Sequence, residues 1–233
     1  MKRADEGDAD RSRMLDLSHT VEDGVVTYKG LPGPIICDFL SREKSRGLYA
    51  EGVEFQIGKI EMVANTGTYL DSPFHRFADG EDLAELSLDS VADLEGVLIE
   101  VEPGSRVIDR ESVSGRDVEG KAVLFRTGWD VHWGTERYFE GHPFLTRGAA
   151  EHLVESGAAL VGIDSLNIDD TADAERPVHT ILLGNGVPIV EHMRGLEQLR
   201  GWRFRFSAVP VKVKGLGSFP IRAFAVATER KPG

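Results

Sequence analysis

Hydrophobic positions along this chain recur with two periods, and the places where one gives way to the other define the expected elements. Met14-Leu15-Asp16-Leu17-Ser18 alternates and predicts a short first strand. Residues 53–63 alternate through Phe55 and Ile57, slip phase at Gly58 and resume with Ile60 and Met62, which predicts a long strand with a β-bulge at the glycine. Residues 97–101, 121–126 and 160–163 are short apolar runs rich in β-branched side chains, as strands buried on both faces are. Between the last two, Ala149, Ala150, Leu153 and Val154 share one face of a helix, with Thr146 as its N-cap and Gly157 just past its end. Residues 194–200 predict a second, shorter helix. Residues 202–213 alternate again, Trp202, Phe204 and Phe206 facing one way and Arg203 and Arg205 the other, and residues 221–227 complete the set. Gly30-Leu31-Pro32-Gly33-Pro34 breaks both regular states and is read as a loop. Strands and helices interleave with no repeat and no linker. The expected fold is a single α/β domain on a mixed β-sheet, covering residues 14–233, behind a charged tail (1–13) expected to be disordered because residues 2–13 hold no large apolar side chain.

Composition narrows the function classes. The 233 residues carry 27 Lys plus Arg against 39 Asp plus Glu, a net charge of −12, which argues against nucleic acid and anionic membranes as partners. Cys37 is the only cysteine, so a disulfide framework and cysteine-ligated metal centres are excluded, and with no basic neighbour closer than Arg42 it is read as inert. No apolar run approaches the ~18 residues of a membrane span, and the charged N-terminus is unlike a secretion signal, so a soluble, cytoplasmic protein is expected.

Two stretches carry ionisable groups in suggestive places. Residues 64–75 follow the long predicted strand and place Asp71 and His75 four residues apart, around the stiffening Pro73. A carboxylate and an imidazole held together can supply a metal ligand and a proton-transfer group, although each is also an ordinary loop residue. In residues 176–191, His179 and Glu191 are separated by an apolar segment and the turn Gly184-Asn185-Gly186, which folds the chain back so that both side chains can reach one point; the plainer alternative is a hairpin with one exposed His and one exposed Glu.

Together these stretches resemble the cyclase family of bacterial kynurenine formamidases and isatin hydrolases, whose signature reads His-x-Gly-Thr-His-x-Asp-x-Pro-x-His. Here it stands as Asn65-Thr66-Gly67-Thr68-Tyr69-Leu70-Asp71-Ser72-Pro73-Phe74-His75. Asp16-Leu17-Ser18, Thr127-Gly128-Trp129, His142-Pro143-Phe144-Leu145 and Gly162-Ile163-Asp164-Ser165 are similar to the family in the same order, so the resemblance spans about residues 14–228. It implies the family's swivelling β/β/α-type fold and homo-oligomers. It implies Asp71, His179 and Glu191 as metal ligands and His75 as the general acid or base. The two histidines that complete the first metal position in hydrolytic members are Asn65 and Tyr69 here, and an amide or a neutral phenol is a poor zinc donor. Two alternatives follow. The surviving donors hold a divalent metal, Mn²⁺ or Mg²⁺ in preference to Zn²⁺. Or the site works without one, His75 acting as base, Asp71 orienting it, and Tyr69 and Asn65 donating hydrogen bonds to a developing oxyanion. No organic cofactor is implied.

The aromatic segment containing Trp129, His132, Trp133, Tyr138 and His142 is read as a pocket wall for a flat substrate, with Trp129, Trp133 and Tyr138 as its substrate-facing rings. His19 is read as a structural or rim residue and Asp164, Asp169 and Asp170 as loop-capping, solvated residues in preference to an acidic metal cluster; no role is assigned to His152 or His192. The expected activity is hydrolysis of a carbonyl C–N bond, an amide, formamide or cyclic amide, in a small aromatic or cyclic substrate. The alternatives are a metal-independent lyase, dehydratase or cyclase built on Tyr69 and His75, and a non-catalytic family member.

Overall fold

The computed structural model describes residues 13–230. In chain order the strands are β1 (Arg13–Asp16), β2 (Ile35–Leu40), β3 (Ile57–Glu61), β4 (Tyr69–Asp71), β5 (Leu94–Glu100), β6 (Val107–Ile108), β7 (Ala122–Arg126), β8 (Phe144–Leu145), β9 (Leu160–Ile163), β10 (Ile189–Glu191), β11 (Trp202–Ser207), β12 (Ser218–Pro220) and β13 (Phe224–Arg230). The α-helices are α1 (Arg42–Ser45), α2 (Arg147–Glu155) and α3 (Pro177–Gly184). Nine strands form one sheet in the order β1-β13-β11-β5-β7-β9-β10-β4-β12. Its centre, β5-β7-β9-β10, is parallel, and the strands on both flanks are antiparallel. The expected mixed sheet is thus present in one domain. The first strand opens at Arg13, one residue before the expected boundary, and the expectation for residues 1–12 lies outside the described residues.

The central strands are apolar on both faces because both faces are covered. In β7, Leu124 packs with Leu15, Leu70, Phe204 and Phe206 on one side, while Val123 and Phe125 pack with Ala149, Leu153, Val178 and Leu182 of α2 and α3 on the other. Each fully buried leucine contributes roughly 1.5–3 kcal/mol. α2 begins where expected, its first turn closed by Thr146 Oγ1 accepting from Ala149 N–H at 3.2 Å, and Gly157 follows at φ +75°.

Five expectations about elements need correction. The long strand is β3 alone, a five-residue segment paired with β2 in a separate ribbon, and the bulge inserts Phe39 of β2 opposite the Gly58 region. The alternation after Trp202 makes a strand only as far as Ser207, since Pro210 can donate no ladder bond. The last strand runs three residues beyond the expected end. Residues 194–200 form a single 3₁₀ turn, Leu196–Leu199. The 176–191 stretch is not a hairpin. Pro177 starts α3, the glycine turn ends it, and β10 then joins the sheet parallel to β9.

The aromatic segment after β7 also differs from the expectation. Trp133 stacks on His19, with ring centres 4.0 Å apart and planes 9° from parallel, and meets Tyr138 and His192 edge-on. Tyr138 is buried with its hydroxyl 2.8 Å from His192 Nδ1, and Trp129 Nε1 donates to the Tyr138 carbonyl at 3.0 Å. These rings form an internal cluster. His19 and His192 are held neutral inside it: burial first, then the Arg194 charge, lowers the His19 pKa to about 4, and burial, then His19 and His142, lowers that of His192 to about 3. In the unfolded chain both imidazoles take up protons near pH 6.5, so the unfolded state binds more protons in this window and stability falls as the pH drops below it. The urea midpoint is expected to be lower at pH 5 than at pH 7.5, with His192 accounting for ~2 kcal/mol and the less buried His19 for less. The drop shrinks in His19→Gln; an equal drop in that variant would show that His19 does not contribute.

Candidate active site

Strand alternation and register bring the chemistry together. Tyr69 and Asp71 are two residues apart on β4 and so share a face. Glu191 lies directly opposite Tyr69 on β10, and Ser218 lies opposite Asp71 on β12, which adds two polar side chains to that face. The 3₁₀ turn Pro73–His75 then carries His75 back over it. A Cβ on Gly217 would lie 2.2 Å from the His75 amide nitrogen, so only glycine lets β12 run this close, and its carbonyl accepts from Ser72 N–H at 2.7 Å.

Ser218, which no motif marks, organises His75. Its hydroxyl donates to the buried Asp71 carboxylate, so its lone pair is what faces His75 Nδ1 at 2.8 Å. That network assigns the proton to Nδ1 and leaves Nε2 with the lone pair.

On the other side of Asp71 stands His179, delivered by the first turn of α3. Asp169 fixes it by accepting from His179 Nδ1 at 2.6 Å and from the backbone N–H groups of Val178 and His179 at 2.7 and 3.0 Å. Asp169 therefore caps a helix, buried rather than solvated in a loop as expected, and it also orients an imidazole. Burial works against its charge, and these hydrogen bonds outweigh it and hold its pKa below the usual carboxylate range. Two other aspartates are structural: Asp164 accepts from Thr127 and Gly128 N–H groups, and Asp170 pairs with Arg106.

His179 Nε2 points at Asp71 Oδ2 (3.6 Å) and Glu191 Oε1 (3.7 Å). Burial pulls the pKa of His179 down, but the Asp169 hydrogen bond and the Asp71 and Glu191 carboxylates outweigh it and raise it to about 10. Glu191 is fully buried. It accepts from Ile168 N–H (2.6 Å) at Oε1 and from the Tyr69 hydroxyl (2.5 Å) and Asn167 Nδ2 (3.3 Å) at Oε2, and burial raises its pKa to about 7 against the pull of His179. Burial, then the Glu191 and Asp71 charges, pushes the Tyr69 phenol well above its ordinary range, so it is neutral and donates. The phenol thus occupies the place of a signature histidine with a hydrogen bond to the carboxylate behind it.

These residues fit a divalent metal. Asp71 Oδ2 is buried without a hydrogen-bond partner. Its 3.6 Å gap to His179 Nε2 is too long for a hydrogen bond, yet close to the ~3.0–3.5 Å that separates two donors each about 2.1 Å from one ion. One ligating atom each from Asp71, His75 and His179 falls within 4.8 Å of the others. This set differs from the expected trio: His75 stands in it in place of Glu191, which lies 3.7 Å from His179 Nε2 but has both oxygens already accepting hydrogen bonds.

A cavity of about 340 Å³ opens onto this cluster, lined by Tyr28, Asn65, Tyr69, His75 and His179 together with Leu31, Arg76, Asn167 and Arg176. Asn65 and Tyr69 thus face it as expected, whereas Trp129, Trp133 and Tyr138 do not. They support it from behind, the Tyr69 and His192 rings lying 5.2 Å apart. Asn167, Arg176, Arg76 and Tyr28 were not read as site residues: Arg176 opens the 176–191 stretch but without a role, the others belong to no motif, and each reaches the cavity through tertiary packing.

Comparison with known proteins agrees with this geometry. A family model described as putative cyclase matches residues 15–170. The chain is 27% identical over 222 residues to a kynurenine formamidase of Bacillus cereus and 26% identical to one of Bacillus cytotoxicus, covering 91% of this chain and 96% of each relative. The fold matches that of isatin hydrolase A from Labrenzia aggregata bound to benzyl benzoate, with a TM-score of 0.80, 23% identity and 94% of each chain covered. It also matches a predicted metal-dependent hydrolase from Bacillus stearothermophilus, with a TM-score of 0.73, 25% identity and 93% and 98% of the two chains covered. The signature loop, the sheet that displays it and the family match converge: this chain belongs to the cyclase family.

Proposed function

We propose that this protein hydrolyses the carbonyl C–N bond of a small aromatic amide, with His75 transferring the proton and Asp71 and His179 holding a divalent metal. One observation carries the reading: His75 and His179 line one cavity, and the unpartnered Oδ2 of Asp71 lies buried behind it, 3.6 Å from His179 Nε2, on a chain whose relatives include kynurenine formamidases. Asp71 Oδ2 and His179 Nε2 would hold the ion, beside Glu191. When bound it would polarise the carbonyl and acidify water as a Lewis acid. Mixed imidazole and carboxylate donors suit Mn²⁺ or Zn²⁺ better than Mg²⁺.

The chain's own groups do the rest. Ser218 holds the tautomer of His75, so that Nε2 can accept a proton from attacking water and return it to the departing amine nitrogen. Tyr69 and Asn65 line the cavity where a carbonyl oxygen would sit, and Asp169 keeps the His179 ring aimed at Asp71.

His75→Ala is expected to lower turnover by roughly 10²–10⁴ while metal content stays at the wild-type level. Loss of the metal together with the activity would instead make His75 a ligand. Ser218→Ala should slow turnover less, because it releases the tautomer without removing the base.

The Tyr69 phenol sets the second test. Asn65→His combined with Tyr69→His replaces two poor donors and removes one of the two hydrogen bonds on Glu191 Oε2, so zinc affinity, read by competition with a chromophoric chelator, should rise by more than the roughly 10–100-fold that an outer partner of a ligand contributes. Native turnover should fall in the same variant. Unchanged zinc affinity would show that Asn65 and Tyr69 do not occupy metal-ligand positions.

Assembly into homo-oligomers is proposed from the β2–β3 ribbon. Its residues are exposed on both faces except Leu40, with Phe39 at 75% and Ile60 at 57% exposure, and an isolated two-stranded ribbon is marginal in water. A second copy of the chain would cover it. Size-exclusion chromatography with light scattering is expected to give at least a dimer, and Phe39→Asp with Ile60→Asp to shift it toward monomer; a wild-type monomer refutes the assignment.

A further inference from the structure

Two guanidinium groups in the cavity wall have no part in the chemistry above. Arg176 sits at the start of α3 with φ +50° and ψ +58°, a left-handed conformation that long side chains seldom adopt. Among the described residues this chain meets fifteen positive-φ positions with glycine, and Arg176 is one of only three other residues there, so a glycine would have made the turn more easily. What glycine would lose is the side chain. Its Nη1 donates to Asn167 Oδ1 at 2.9 Å and its Nη2 to the Tyr28 hydroxyl at 3.2 Å. Both partners are neutral: they aim the fork without cancelling its charge, and further N–H donors remain. Asn167 also donates to Glu191, which ties the guanidinium to the frame of the catalytic cluster. Arg76, one residue after His75, is held in the same way by neutral oxygens, Thr180 Oγ1 at 3.1 Å and the Glu175 carbonyl at 3.5 Å. Neither arginine is ion-paired to a carboxylate among the described residues.

We infer that Arg176, flanked by Arg76, is a carboxylate-recognition site, so that the substrate is an aryl amide carrying its own carboxylate on the ring. The inference deepens the amide-hydrolase reading and rests on it for the identity of the reacting bond. Electrostatics requires such a device if the substrate is an anion. The protein carries a net charge of −12, and three carboxylates, Asp71, Asp169 and Glu191, surround His179 at the cavity floor. An anion entering unescorted would be repelled. Two unneutralised guanidinium groups at the wall reverse the local field, and a planar fork matches a carboxylate edge through two parallel hydrogen bonds. Half-burial of Arg176 strengthens that pairing relative to open water.

The test separates recognition from catalysis. Binding of 2-, 3- and 4-aminobenzoate and of aniline is measured by calorimetry on the wild type, Arg176→Asn and Arg76→Gln. Hydrolysis of the matching formamidobenzoates and of formanilide is followed alongside. Asparagine is chosen because it tolerates the left-handed backbone while removing the charge. At least one aminobenzoate should bind the wild type ten or more times more tightly than aniline, and the preference should shrink with added salt. Arg176→Asn should weaken that binding by about 10–100-fold and leave aniline unchanged, raising KM for the carboxylated formamide with little change in kcat. Arg176→Lys, which keeps the charge but not the fork, should retain part of the preference and serves if the asparagine variant fails to fold.

Equal wild-type affinity for aminobenzoates and aniline overturns the inference, as does a preference that survives in both Arg176→Asn and Arg76→Gln. Equal weakening of both ligand types would show that Arg176 only buttresses α3. Competition by formate that disappears in Arg176→Asn would mean that the fork receives the released acid, and would also overturn it. Carboxylate binding without turnover of any formamide leaves this site standing and removes the amide-hydrolase reading. Equal turnover of neutral and carboxylated formamides does the reverse.

Discussion

Everything at this site depends on burying three carboxylates around one imidazole. Asp71, Asp169 and Glu191 are all inaccessible to solvent, and water cannot screen their mutual repulsion. Each must find compensation inside the fold. Asp169 takes two backbone amides and a ring nitrogen of His179, and Glu191 takes an amide, a phenol and a carboxamide. Asp71 accepts from Ser218 on one oxygen and has only the His179 edge beyond hydrogen-bond range for the other. The charge left over is negative, and it collects at the one place where an oxygen is unpartnered. This arrangement favours a cation there, and the same carboxylates help hold the His179 pKa up.

The sheet is what makes that burial sustainable. Parallel β9 and β10 bring Glu191 in from one side, antiparallel β12 brings Ser218 from the other, and β4 lies between them with its ladder bonds satisfied on both edges. Backbone so fixed cannot relax to let the carboxylates reach water. The close approach of Gly217 beneath His75 adds the last constraint, because it sets how far the proton-transfer group stands from Asp71.

Much of this was legible in the sequence, for identifiable reasons. Tyr69, Asp71 and His75 sit in one contiguous signature, so local spacing alone placed them together. The buried parallel strands were read correctly because continuous apolar runs have few other uses. His179 and Glu191 did converge, but by a helix followed by a parallel strand; the proline that starts α3 was the signal that distinguished this from a hairpin. Ser218 and Arg176 were invisible, since their roles depend on partners as far as 148 residues away in the chain. The tryptophans misled for the opposite reason. Proximity to the Thr127-Gly128 pair suggested a pocket wall, but nothing in composition says whether a ring faces a ligand or its neighbours, and Trp133 faces His19.

The hydrogen bond from Tyr69 to Glu191 has a consequence for how the molecule comes to exist. In a site where both groups awaited an ion, the apo chain would carry an unpaired buried carboxylate, and its folding would be linked to metal supply. Here phenol and carboxylate satisfy each other within the chain, at 2.5 Å, so that half of the cluster is complete before any ion arrives. Folding of this half of the cluster therefore does not wait on an ion, and any dependence on metal supply is confined to the Asp71 side, where one oxygen has no partner.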